Sequence, residues 1–264
     1  MSATSGWNRA PGTRILRLVV EYDGTDFRGW QRQPGVRTVQ GEIEEVLRAV
    51  LQEPVAIVGA GRTDAGVHAE GQVASFRTRS ALPALRIQGA LRGLLPADVT
   101  LKKAEDAPAG FHARRDAVAR TYRYRIFRGA SALERRRAWT LPGDLDVALL
   151  RGQAALLPGE HDFTPFAKAG AVQAAGDGVL RIRRARWTAS GRRLSFTIEA
   201  DRFLHRVVRN LVGAMVAAAR GEADPEELGR LLENPGLRRR RPTAAPPEGL
   251  TLVRVAYPGG GPSR

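Results

Sequence analysis

The sequence contains no cysteine among its 264 residues. That excludes disulfides and thiolate metal sites, and it fits a reducing compartment, the cytoplasm. Long apolar runs are also missing. None approaches the roughly 20 residues that a membrane-spanning helix needs, so no membrane partner is expected. Histidine is scarce, with four in all, and none stands at a recognisable ligand spacing with acids. No metal is therefore expected. The opening stretch Met1–Gly12 is polar and lacks the apolar core of a secretory signal, so it reads as a loose tail. Acidic residues are in deficit. Lys and Arg number 42 against 27 Asp and Glu, a net charge of +15. A high-GC codon bias would explain Arg in place of Lys, but not the net excess. The excess points to a polyanionic partner, because guanidinium groups bind phosphate in bidentate fashion.

What is present suits a folded chain. The hydrophobic fraction is 43%, enough for a sizeable core. Leu16, Leu18 and Val20 alternate through a strand over Ile15–Glu21. Thr38 stands as N-cap before Val39, Ile43, Val46, Leu47, Val50 and Leu51, which recur at helical spacing. The apolar run Val55–Val58 predicts a buried strand, Gln72–Thr78 another strand, Leu85–Leu94 a helix and Val99–Lys103 a strand. Ala107–Gly110 is the best linker candidate. Beyond it the pattern largely repeats. Arg120–Phe127 reads as a strand with Tyr122 and Tyr124 on one face, and Asp144 as the cap of a helix carrying Val147, Leu150, Ala154 and Leu157. Val179–Thr188 and Arg193–Ala200 form a strand pair joined at Ala189–Gly191. A helix follows over about His205–Arg220, then a helix start at Asp224–Glu227 with Pro225 in first position, then a strand over Leu250–Val255. The expected fold class is α+β. It has two similar halves, 14–106 and 111–258, each a mostly antiparallel sheet with helices on one face.

Two stretches are strongly basic. Nine Arg and only two acids lie between Arg114 and Arg137, and Arg238–Arg241 is an unbroken run. Within Arg120–Arg128 the Arg residues interleave with Tyr122, Tyr124 and Phe127, as a surface for phosphates and bases would require. Farther up the chain, Trp30 reads as a core plug under a loop, while Arg28 and Arg32 suit a surface that meets RNA.

The stretch the rest serves is Gly61-Arg62-Thr63-Asp64-Ala65-Gly66-Val67-His68. A lone Asp in a loop is ordinarily a turn or cap residue. The whole octapeptide, however, resembles the active-site loop of the tRNA pseudouridine synthases of the A type. Two further motifs support the resemblance: Ala119-Arg120-Thr121-Tyr122-Arg123-Tyr124 and Val208-Arg209-Asn210-Leu211-Val212-Gly213. The likeness runs from about Arg14 to Pro258 and includes Glu21–Gly24, Gly29–Gln33 and Phe111–Arg114. It departs from the family pattern at Arg92, Pro165, Val207 and Thr251.

The resemblance implies an isomerase that turns uridine into pseudouridine at positions 38 to 40, in the anticodon stem-loop of tRNA. That reaction breaks the C1′–N1 bond, turns the base and joins C1′ to C5. It needs a carboxylate nucleophile, a hold on the detached uracil and a base for the C5 proton. It calls for no organic cofactor. By resemblance the active-site cleft lies between the two halves, and Asp64 is the nucleophile, through attack on the sugar or through assistance to glycal formation. Arg209 is its catalytic partner, Tyr122 stacks on the flipped uracil, and Arg62 fills the vacated space or holds a phosphate. The family works as a cytoplasmic homodimer that cradles one tRNA arm. Two other readings stand beside this one: a non-catalytic RNA-binding protein of the same fold, and a metal-dependent nuclease using Asp64 with His68 or His112.

Overall fold

The computed structural model describes residues 12–237 and 242–259. The Arg238–Arg241 run and the opening Met1–Pro11 lie outside the described residues. The chain divides into two compact units, one of residues up to Ala117 together with Tyr257 onward, the other of Val118–Ala256.

In the first unit the order is β1 (Arg14–Tyr22), α1 (Val39–Leu51), β2 (Val58–Gly59), β3 (His68–Thr78), α2 (Ala84–Leu94) and β4 (Val99–Ala107). β1 pairs antiparallel with β3 on one side and β4 on the other, and β2 pairs antiparallel with β3. Leu16, Leu18 and Val20 of β1 are fully buried, and so are Ile43 and Leu47 of α1 and Ile87 and Leu91 of α2. The alternation in the strand and the helical spacing in α1 thus converge on one core. Thr38 caps α1 by accepting the Gly41 N–H at 3.2 Å. The run Val55–Val58 is not a buried strand: only Val58 and Gly59 pair, and Ala56 is exposed. Four apolar residues directly after Glu53-Pro54 are too short a run to select a strand by themselves.

Helix α2 lies along β4, and its side chains close that strand's outer edge. Arg92 donates from Nε to the Leu101 carbonyl (2.9 Å) and from a terminal nitrogen to the Lys102 carbonyl (2.8 Å). The Gln88 side chain accepts the Ala104 N–H at 2.8 Å. At its other end the chain returns to this unit through Tyr257. The Tyr257 hydroxyl donates to the Ala113 carbonyl at 2.6 Å, its ring meets Phe111 at 5.1 Å between centroids, and Arg17 lies 5.0 Å over the ring.

The second unit contains β5 (Ala119–Arg128), β6 (Trp139–Leu141), α3 (Val147–Ala155), β7 (Gly159–Asp162), α4 (Ala171–Ala175), β8 (Val179–Ser190), β9 (Arg193–Ala200), α5 (Val207–Ala219), α6 (Glu227–Glu233) and β10 (Leu250–Ala256). Its strands run in the order β10-β5-β9-β8-β7, antiparallel throughout. β10 and the short parallel β6 take successive stretches of the same β5 edge. The cap of α3 is Asp146 rather than Asp144: its carboxylate accepts the Leu149 N–H at 2.9 Å. The two carboxylates sit two residues apart, and the path of the incoming chain decides between them. α6 begins at Glu227, two residues past Pro225, after Asp224 has accepted the Glu226 N–H at 2.9 Å. The α+β class with mostly antiparallel sheets is as expected from the strand and helix periodicities.

Candidate active site

The octapeptide forms the loop between β2 and β3. Its first half is pinned from below. The Ala60 N–H donates to the Val73 carbonyl (2.7 Å), and the Gln72 side chain donates to the Gly61 carbonyl (2.7 Å). Thr63 is held twice. Its carbonyl accepts the Trp30 N–H at 3.1 Å, and its hydroxyl shares a buried 2.8 Å hydrogen bond with the Tyr22 hydroxyl. Trp30 is buried beneath the loop, as the sequence suggested, and its indole fills the space beside Gly59. Arg28 and Arg32 are exposed, and Arg32 pairs with the buried Glu44 at 3.2 Å. That carboxylate, buried in α1, also accepts from Gln40 and from the Ile57 N–H, so it anchors the strand-to-loop approach.

The second half is a tight turn. The Val67 N–H donates to the Asp64 carbonyl at 3.2 Å, with Gly66 at φ +78°. A left-handed residue in that third position defines a type II turn and favours glycine. His68 closes the loop. Its Nδ1 accepts the Gly24 N–H at 3.1 Å and lies 3.2 Å from an Asp23 carboxylate oxygen. His68 is thereby tied to the Asp23–Gly24 turn and holds the end of the loop in place. The result presents Asp64 half-buried and Arg62 exposed on either side of a buried Thr63.

The second unit supplies a different set. Tyr122 and Tyr124 share one face of β5. Tyr122 is 8% exposed and meets the Phe203 ring edge-on at 5.2 Å. Tyr124 is fully buried, donates its hydroxyl to the Pro246 carbonyl at 2.8 Å, and has its ionisation pushed up by burial. Arg209 sits half-buried on α5, and its Nε donates to the Ala245 carbonyl at 2.7 Å. Tyr124 and Arg209 therefore anchor on adjacent carbonyls. The Ala245 N–H returns a bond to the Arg209 carbonyl at 3.0 Å. The rest of that helical motif serves the same packing. Asn210, buried, donates to the Phe166 carbonyl at 2.6 Å. Gly213 faces the Thr243 carbonyl so closely that a side-chain carbon there would run into it.

Asp64 and Arg62 thus belong to the first unit, and Tyr122 and Arg209 to the second. Sequence reasoning missed the supports: the Tyr22–Thr63 bond, the Gly24–His68 bond, Phe203 against Tyr122, and the Ala245 carbonyl under Arg209. None has a periodic signature, since each partner lies in a loop or arrives from a distant strand. His112 of the Phe111–Arg114 motif is also a local acceptor, its Nδ1 taking the N–H groups of Arg114 (3.3 Å) and Arg115 (3.2 Å). Burial, then the Arg115 charge, holds its pKa below the ordinary histidine value. Among the described residues no group of three or more His, Asp or Glu is arranged to hold a metal ion. Nor is any described helix long and apolar enough to cross a membrane.

Comparison with known proteins bears on the chain as a whole. A family model described as tRNA pseudouridine synthase matches residues 18–116 and 154–258. The chain is 46% identical to the tRNA pseudouridine synthase A of Chlorobium phaeovibrioides, over 92% of this chain and 99% of that protein. It is 43% identical to the one from Chlorobaculum tepidum, over 94% and 100%. It is 37% identical to that of Acetivibrio thermocellus, over 92% and 100%.

Proposed function

Because the chain belongs to the tRNA pseudouridine synthase A family, we propose that it isomerises uridine to pseudouridine at positions 38 to 40, in the anticodon stem-loop of tRNA. The observation that carries this reading is the Gly61–His68 loop. It presents a half-buried carboxylate from a turn fixed by buried hydrogen bonds, inside a chain that matches these enzymes over nearly its whole length.

Each proposed role follows from the chemistry of the residue. Asp64 acts as the nucleophile that accompanies C1′–N1 cleavage. Arg209, its Nε committed to Ala245, is the catalytic partner, a permanently charged guanidinium whose role is to keep the carboxylate ionised during desolvation. Tyr122, braced edge-on by Phe203, offers its ring to the flipped uracil. Arg62, exposed beside the nucleophile, holds the RNA backbone near the extruded nucleotide. No cofactor is needed, because nothing is oxidised or hydrolysed. The enzyme works in the cytoplasm as a homodimer.

Tritium release from tRNA labelled at uridine C5 tests the reading, since isomerisation must free that hydrogen. The wild type should release it and Asp64→Ala should not. Tight tRNA binding without release by the wild type would instead favour a binding module.

A further inference from the structure

Beyond Tyr122 and Arg209, the second unit carries a basic surface that the proposed chemistry does not use. It lies where the β5–β6 connection meets the turn between β8 and β9. β5 reaches it six residues after Tyr122, about 20 Å along an extended strand. The two segments are tied together. The Arg128 N–H donates to the Arg192 carbonyl (2.8 Å), Arg192 Nε donates back to the Arg128 carbonyl (2.7 Å), and the Arg128 guanidinium reaches the Gly191 carbonyl (2.8 Å). The Arg192 guanidinium lies 4.8 Å from the centre of the Phe127 ring. Its plane is therefore held by an aromatic face and a backbone acceptor, not left to sample solvent.

The charges do not cancel locally. Glu134 is the one acid of the connection, and it is taken by Arg193 at 2.6 Å. The Arg137 and Ala138 N–H groups both close on the Glu134 carbonyl, at 2.8 and 2.9 Å. That single helical turn leaves Arg135 and Arg136 exposed, and among the described residues neither has a carboxylate partner. A solvated loop needs no such cross-linking. A held guanidinium, Arg192, beside two charges free of carboxylates is what a row of phosphates can use.

We infer that Arg135, Arg136 and Arg192 form a phosphate-binding platform for the RNA backbone, remote from the target uridine. It rests on the reading of this chain as a tRNA-modifying enzyme. The platform positions the substrate and carries no base specificity.

The test is the salt dependence of tRNA binding by Arg135→Gln/Arg136→Gln, whose replaced side chains make no hydrogen bond or ion pair among the described residues. Each lost phosphate contact should flatten the log–log slope by about 0.7 to 0.9, so the double variant should lose about 1.5. The KM for tRNA should rise with it. Arg192→Gln, checked for folding by thermal melting, should lose about 0.8 more when added. Arg86→Gln, an exposed charge on α2, is the control and should leave the slope in place. An unchanged slope in the double variant would overturn the platform, as it would if the patch served an acidic protein surface instead. An equal loss per charge from Arg86→Gln would also overturn it, by showing only a diffuse field. Tritium release by the wild type separates these outcomes from a failure of the functional reading itself.

Discussion

Asp64 owes its setting to the residue before it. Thr63 has its carbonyl bound by Trp30 and its hydroxyl bound by Tyr22, both in the interior. If Asp64 is the nucleophile proposed above, it inherits whatever precision that peptide unit has, and misplacement by about 1 Å can cost on the order of a hundredfold in rate. Thr63→Val keeps the shape and removes the hydroxyl bond. The expected loss of stability is about 1 kcal/mol. Tritium release at saturating tRNA should fall about tenfold with KM little changed, equivalent to about 1.4 kcal/mol of barrier. A proportional rise in KM instead would assign the Tyr22–Thr63 bond to substrate binding.

Among the elements, α5 shows how much a helix can be asked to do. One face enters the core through Val208, Leu211, Val212 and Met215. Its edge carries Arg209, and its Gly213 admits the Thr243 backbone so that Ala245 can meet Arg209. Gly213→Ala should therefore act at a distance. The added methyl pushes the 243–245 segment away, at a cost of roughly 1–3 kcal/mol as overpacking. The melting temperature should drop and so should turnover, because the Arg209 acceptor moves. A stability loss with turnover intact would mean that Ala245 does not orient Arg209. The apolar stripe of α5 was legible in the sequence, since it repeats at 3.6 residues, and so were the alternating faces of β1 and β9. The identity of the Arg209 acceptor was not, because it depends on a segment thirty-six residues away that has no periodicity. Nor could spacing show that Val55–Ile57 would stay out of the sheet, or that Asp146 rather than Asp144 would cap α3. Arg92 was visible as a departure from the family pattern, but its role as a seal over the β4 carbonyls is a matter of where α2 lands. Such sealing blunts an edge that would otherwise template pairing with another strand.

At the scale of the whole molecule, charge and assembly are the properties to measure. If the protein is a homodimer, sedimentation at micromolar concentration should return twice the 28.7 kDa mass of the chain. A single-chain mass would require each copy to hold tRNA alone. The composition announced a polyanionic partner through its net charge, and the octapeptide announced the chemistry. Neither foretold that the second unit is spliced into the first, to which the chain returns with Tyr257 packed against Phe111, Ala113 and Arg17. That connectivity has a consequence for biosynthesis. A ribosome moving at about 5–20 residues per second leaves the first unit without its closing tyrosine for roughly ten to thirty seconds after Ala117 is made. Over that interval the half that carries Asp64 persists without Tyr257 over Phe111 and Arg17, exposed to whatever meets the nascent chain.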